Sequence, residues 1–280
     1  MPIHDQSYRR YGGAKAALGR SWMVIAKAGI MHMIRKRAFL GLLLFAWLQF
    51  VIVAVRLYIA ANYPQAEAFL PTDPGMFREF LERQDFFVFV MTIYVGAGLI
   101  ANDRRANALQ IYLSKPLLRT EYIVGKAAVL FTFLMLVTWV PAILLLILQV
   151  LFKGSFEFLR ANLFLFPAIT VASLLQVLVA TFTMLALSSL SKSSRYVGIL
   201  YAGIIFFTAA IYGVMMAVTG STSLSWLSVG SNVAQVIDVI FRQAPRYTTP
   251  WQVSLIVILG LIALSISVLE RRVRGVEIVT

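Results

Sequence analysis

Long apolar runs alternate with short polar connections along the whole chain. Six runs, 38–61, 86–101, 127–152, 163–190, 197–218 and 251–269, are apolar over a length suited to crossing a bilayer, whose hydrocarbon core is about 30 Å thick against a helical rise of about 1.5 Å per residue. The second run is the shortest, with 16 residues, or about 24 Å of helix. It has to borrow flanking residues or sit where the bilayer thins. Arg56 is the single Asp, Glu, Lys, Arg or His among the six runs. Five residues from the outer end of its run, it either extends its head to the interface or faces a substrate. The pattern predicts an all-α polytopic membrane protein with six transmembrane helices over 38–269. Residues 1–37 precede them and 270–280 form a tail, within a single domain spanning 1–280.

Composition strengthens the membrane reading. The chain is 60% hydrophobic and 13% charged, with mean hydropathy +0.83, whereas a soluble domain carries about 25% charged residues to solvate its surface. The charges are also asymmetric, 25 Lys and Arg against 12 Asp and Glu for a net +13. Of the 25 basic residues, 18 fall in 1–37, 102–126, 191–196 and 270–280, the connections of one side. By the positive-inside rule that side is cytoplasmic, both termini lie on it, and the expected location is the cytoplasmic membrane as a multi-pass protein. A pI of 10.3 would suit nucleic acid only if the basic residues shared one soluble face. They do not, so no nucleic-acid partner is expected.

Little in the sequence supports chemistry within the bilayer. No cysteine occurs, and His4 and His32 both precede the first run. Carriers driven by ion gradients place ionisable groups inside their spans, and the runs hold no carboxylate. Lys192, the one Lys followed by Ser or Thr, lacks the glycine-rich loop that cradles phosphates. Gly220-Ser221 and Gly230-Ser231 lack the frame and the histidine of a serine nucleophile. The expectation is a chain that is not an enzyme and holds no metal or cofactor of its own.

The connection 102–126 is richer. Its first half forms a short helix starting around Asp103, with Ala108, Leu109 and Tyr112 on one side and Arg104, Arg105 and Asn107 on others. Lys115-Pro116 breaks it, and Thr120 caps the next helix with Glu121 in its first turn. The stretch Ile100-Ala101-Asn102-Asp103-Arg104-Arg105, through Tyr112-Leu113-Ser114-Lys115-Pro116 to Arg119, Tyr122 and Gly125-Lys126, resembles the loop after the second span in permease subunits of type 2 ATP-binding-cassette exporters, and the six-span layout is similar along the whole chain. The resemblance implies a coupling helix that docks on a separate ATPase subunit. It makes Asp103, Arg104, Arg105, Asn107, Gln110, Tyr112, Lys115 and Pro116 the contact or hinge positions. ATP and magnesium then belong to the partner, and a second permease subunit, identical or different, completes the transporter.

Segment 14–36 alternates Leu18, Trp22, Ile25, Ile30, Met33 and Ile34 with Arg20, Lys27, Arg35 and Lys36. It reads as an amphipathic helix on the inner leaflet, where Arg20, Trp22, Lys27, Arg35 and Lys36 meet the headgroups, or as an orientation signal alone. On the outer side, Asp73-Pro74 starts a short helix through Arg83 with Phe77, Phe80 and Leu81 on one face, and a second amphipathic stretch lies near 231–241. Ser173, Gln176, Ala180 and Thr183 share a face of the fourth span, as helix contact or with Ser173, Gln176 and Thr183 lining a pathway. Ala209, Gly213 and Ala217 offer close packing, within the chain or across a dimer. Pro141 and Pro167 permit kinks in the third and fourth spans. The function expected is transport, in the export direction, by an ATP-driven permease. An assembly or scaffold protein without transport, and then a gradient-driven carrier, are the alternatives.

Overall fold

The computed structural model describes residues 20–63, 65, 73–108, 118–154 and 157–273, and all regular structure among them is helical. Among the described residues six helices are long and apolar enough to cross a membrane: Arg37–Asn62, Gly75–Arg105, Arg119–Lys153, Leu165–Leu190, Ser194–Thr219 and Trp251–Arg272. The chain is an all-α, multi-pass membrane protein. In chain order we name α1 Ser21–Ile34, α2 Arg37–Asn62, α3 Gly75–Met91, α4 Gly98–Arg105, α5 Arg119–Val137, α6 Trp139–Lys153, α7 Glu157–Ala161, α8 Leu165–Leu190, α9 Ser194–Thr219, α10 Val229–Ile240 and α11 Trp251–Arg272.

The second span differs from its expectation. Instead of a short outer helix followed by a 16-residue run, α3 and α4 form a single rod from Gly75 to Arg105, joined by a π turn at Thr92–Gly96. No Gly or Pro interrupts the chain from Met76 to Val95, and one buried face continues through Met76, Phe77, Phe80, Leu81, Gln84, Val88 and Met91. The rod carries Asp85 into the bundle, so Arg56 is not the one charge in a spanning segment. Asp73 caps nothing with its side chain, the helix starting after Pro74. The third span begins earlier than expected, at Arg119. Its bend is at Thr138, between α5 and α6. Pro141 explains the position, because it has no N–H to offer the carbonyl of Val137. Pro167 bends nothing: it falls in the first turn of the unbroken α8, where an amide would be unpaired in any case.

The bundle is packed unevenly. Half or more of the apolar windows of the second, third and fourth spans is buried (56%, 50% and 56%), against 17%, 22% and 22% for the first, fifth and sixth. Two apolar cores result. One, around Phe39, Tyr122, Leu130 and Phe133, lies toward the end bearing Asp103, and the other, around Phe77, Phe80, Leu145 and Ile169, toward the end bearing Asp238. Because lipid is as apolar as these side chains, contact and shape rather than water exclusion hold the spans together. Phe39 and Phe133, with ring centroids 4.6 Å apart, are one such contact. Ala209, Gly213 and Ala217 all lie on the exposed side of α9 and make no close packing within this chain.

At the Asp238 end, α10 is tied down by polar contacts. Ser228 caps it by accepting from the Ser231 amide at 3.2 Å, and Gln235 donates to the carbonyl of Thr249 at 2.8 Å. Asp238, with 0% exposure, accepts from Arg78 of α3 and from Arg246, whose guanidinium also grips Glu82 in a two-pronged contact of 2.6 and 3.1 Å. Desolvation by burial pushes the Asp238 carboxyl above its ordinary range, against the pull of the Arg78 guanidinium.

Candidate functional site

The connection after the second span starts from a rigid root. Asp103 and Arg104 do not open a new helix; they form the last turn of α4, which ends at Arg105. Asn107 follows with φ of 53°, a left-handed conformation that Asn adopts more readily than other residues with a side chain, and it stops the helix. The carboxylate of Asp103 accepts from the Tyr122 hydroxyl at 2.7 Å and pairs with the Lys126 ammonium at 2.7 Å, both on α5. Arg104 donates to the carbonyl of Ser189 at the end of α8. Three spans thus meet at Asp103 and Arg104. Arg105 is exposed beside them, and Gln110, Tyr112, Lys115 and Pro116 lie outside the described residues.

On the far side of the connection, α5 starts after Leu118, two residues earlier than the expected Thr120 cap. Glu121 supplies the cap by reaching back to accept from the Leu118 amide at 3.2 Å. Thr120 lies within the first turn.

Behind this root sits a second fixture that sequence reading missed. The Ser188 hydroxyl of α8 accepts from the amides of Ile100 and Ala101 at 3.1 and 3.0 Å and donates to the carbonyl of Ala97 at 2.9 Å. A hydroxyl has one proton and two lone pairs, and all three are used. The side chain is inserted into the backbone ladder next to the π turn, where an i→i+5 turn leaves the regular pairing out of step.

The N-terminal helix is docked. Gly125 of α5 faces α1 so closely that a Cβ there would lie 2.8 Å from Ile25 Cβ and 3.0 Å from the Trp22 carbonyl; Gly29 faces Val129 in the same way at 2.6 Å. The two glycines interlock α1 and α5. Arg20, Lys27 and Arg35 are exposed, Trp22 and Lys36 partly buried, and Met23, Met31 and Ile34 are exposed apolar side chains. Between α1, the π turn, α4 and α9 opens a groove of about 1010 Å³ with apolar walls, bordered by His32, Lys36, Asp103, Lys126 and Arg195.

A smaller site lies nearer the Asp238 end. Gln176 of α8 donates its side-chain amide to Asp85 and, at 3.5 Å, to the carbonyl of Leu81. Gln176 and Asp85 line a cavity of about 150 Å³ with Phe89 and Tyr201. Ser173 and Thr183, on the same helix, are buried and line neither space. Of the row read from the sequence, Gln176 and Ala180 line this cavity. Asp85, the partner of Gln176, escaped notice because the surrounding Arg78, Glu79, Glu82 and Arg83 make the segment look like an outer connection.

No protein-family model matches the chain, and no curated protein matches it.

Proposed function

We propose that the protein is the membrane-spanning permease subunit of an ATP-driven transporter of the type 2 ATP-binding-cassette class, working in the export direction in the cytoplasmic membrane. A separate ATPase subunit and a second permease subunit complete it. The supporting observation is the root of the 102–126 connection. A soluble partner pressing there would move a point tied by Asp103 to Tyr122 and Lys126, by Arg104 to the end of α8, and through Ser188 to the π turn. A load on that connection would reach three spans without being lost in slack. The docked α1, seated on the same α5, adds a second point of contact beside it. ATP chemistry stays in the partner, and this chain converts its closure into span movement.

The test is to co-express the chain with the ATPase encoded beside its gene, purify through the permease and measure ATP turnover. Arg105→Ala and Tyr112→Ala, which leave the Asp103 ties intact, should lower turnover about tenfold or weaken co-purification with thermal stability unchanged. If no ATPase co-purifies, the reading fails.

Asp85 favours a second reading, a gradient-driven carrier, because an ionisable group within a span is where such proteins bind ions. Substrate movement in ATPase-free proteoliposomes under an imposed ion gradient would establish it.

A further inference from the structure

Asp85 lies in a spanning rod, yet no cation among the described residues pairs with it. It is ten residues into the rod from Gly75, and its partner Gln176 is eleven residues into α8 from Leu165. Both counts place the pair about 15 Å along the helices from their ends on the Asp238 side, inward of the exposed Glu79, Glu82 and Arg83 and at the start of the apolar run that opens at Phe86. A carboxylate kept there without a counter-charge is costly.

The surroundings specify what would relieve that cost. The Gln176 amide nitrogen has to face Asp85, since a carboxylate only accepts, and this leaves Gln176 Oε1 buried and without a donor. Both side chains line the 150 Å³ cavity. Beside them is an aromatic wall, Phe89 one turn along the rod from Asp85, stacked on Tyr201 with centroids 5.8 Å apart and set edge-on to Phe206 at 5.3 Å. The first turn of α10, Val229 and Gly230, borders the cavity. A negative charge, an uncommitted carbonyl oxygen and aromatic faces in a small apolar space match a positively charged, weakly hydrated head. The volume holds about five waters at ~30 Å³ each, enough for one ammonium head and too little for its tail.

We propose that Asp85, Gln176 and Phe89 form a binding site for the ammonium head of an amphiphilic organic cation, whose apolar tail extends out of the cavity into the surrounding hydrocarbon. The site deepens the permease reading by naming its cargo class and rests on that reading only for the word cargo; binding itself needs no ATPase. Bare sodium or potassium fits less well, because the carboxylate of Asp85, the carbonyl of Gln176 and the single hydroxyl of Tyr201 are fewer oxygens than a hydration shell supplies.

The experiment is equilibrium binding to the full chain in nanodiscs of zwitterionic lipid. The probes are radiolabelled octyltrimethylammonium and its uncharged isostere with carbon in place of nitrogen. The cation should bind about tenfold tighter than the isostere. Asp85→Asn should bring the two to within about twofold, and Phe89→Leu should weaken the cation several-fold with little effect on the isostere. Excess sodium at constant ionic strength should displace neither. Equal binding of the two probes by the wild-type chain overturns the proposal without any variant having to fold, as does an unchanged preference in Asp85→Asn or displacement by sodium. A chain that prefers the cation but co-purifies with no ATPase retires the permease reading and keeps the site; a chain with a coupled ATPase and no preference does the reverse.

Discussion

Two helices approach closely where a side chain is missing. At Gly125 an added methyl would meet the Trp22 carbonyl, which belongs to a helix backbone and cannot swing aside, and the branched carbon of Ile25. We expect Gly125→Ala to lift α1 from α5 and to destabilise the protein by about 1–3 kcal/mol, the usual cost of overpacking. Gly203→Ala, where nothing lies within 4 Å, should be neutral or slightly stabilising. Thermal unfolding in detergent compares the two. Because the chain has no cysteine, a single Cys at Ile25 reports the lifting directly as a gain in labelling rate. Ser188 presents the opposite case, a small polar side chain whose every bonding capacity is spent on another helix. Ser188→Ala leaves two amides of α4 and the carbonyl of Ala97 without this partner, at about 1–3 kcal/mol for each group left unpaired. The expected readout is faster amide exchange confined to the 97–101 turn.

At the level of helices, the rod from Gly75 to Arg105 carries the most consequence. Its π turn contains one residue more than an α-helical path would use, and the wide turn absorbs that residue so that the helix beyond it keeps its phase. Deleting Ile93 should therefore restore an α-helical ladder with α4 still in phase and Asp103 still beside Tyr122 and Lys126. We predict that this deletion leaves the chain inserted in the membrane and its ATP turnover coupled to the permease, which insertion assays and turnover measurements read separately. The six apolar runs and the all-helical class were legible in the hydrophobic pattern because each span is apolar nearly all round. The rod was not, since Arg78, Glu79, Glu82, Arg83 and Asp85 lower its average hydropathy and end the run at Phe86. A continuous signal was nevertheless present in the phase of Phe77, Phe80, Leu81, Gln84 and Val88, which runs into the span without a break. Asp103 and Gln176 could be singled out from motif and periodicity. Tyr122 and Lys126, the partners of Asp103, stand in the same motif, but Asp85 opposite Gln176 and Ser188 on the 97–101 backbone are distant in the chain, and no local pattern names them. The bend at Thr138 was legible through Pro141, whereas Pro167 misled because its cost depends on where the helix starts.

For the whole molecule, the two ends are held by different means. The Asp103 end is pinned at a root shared by three spans; the Asp238 end is closed by charged side chains around one buried carboxylate. Burial raises the Asp238 carboxyl, so the folded protein keeps this proton to higher pH than the unfolded chain, whose carboxylates titrate near about pH 4. Between those two values the folded state binds more protons, and stability from this group is greatest below the window and falls as pH rises through it. Asp238→Asn should therefore flatten the pH dependence of the thermal midpoint across the mildly acid range. Asp238→Ala leaves Arg78 and Arg246 with Glu82 alone and should loosen α10 at neutral pH, seen as faster proteolysis of the 229–250 segment.

The interlocked glycines also order events during synthesis. Helix α1 is made before any span, but its seat on α5 is made roughly a hundred residues later. At about 5–20 residues per second that delay is on the order of 5–20 s, during which two spans enter the membrane and α1 has nothing to lock against. Through that interval Met23, Met31 and Ile34, which stay exposed in the finished protein, give the helix an apolar side to rest on the lipid. A helix that leaves the ribosome ahead of every span is in this way among the later ones to reach its final place.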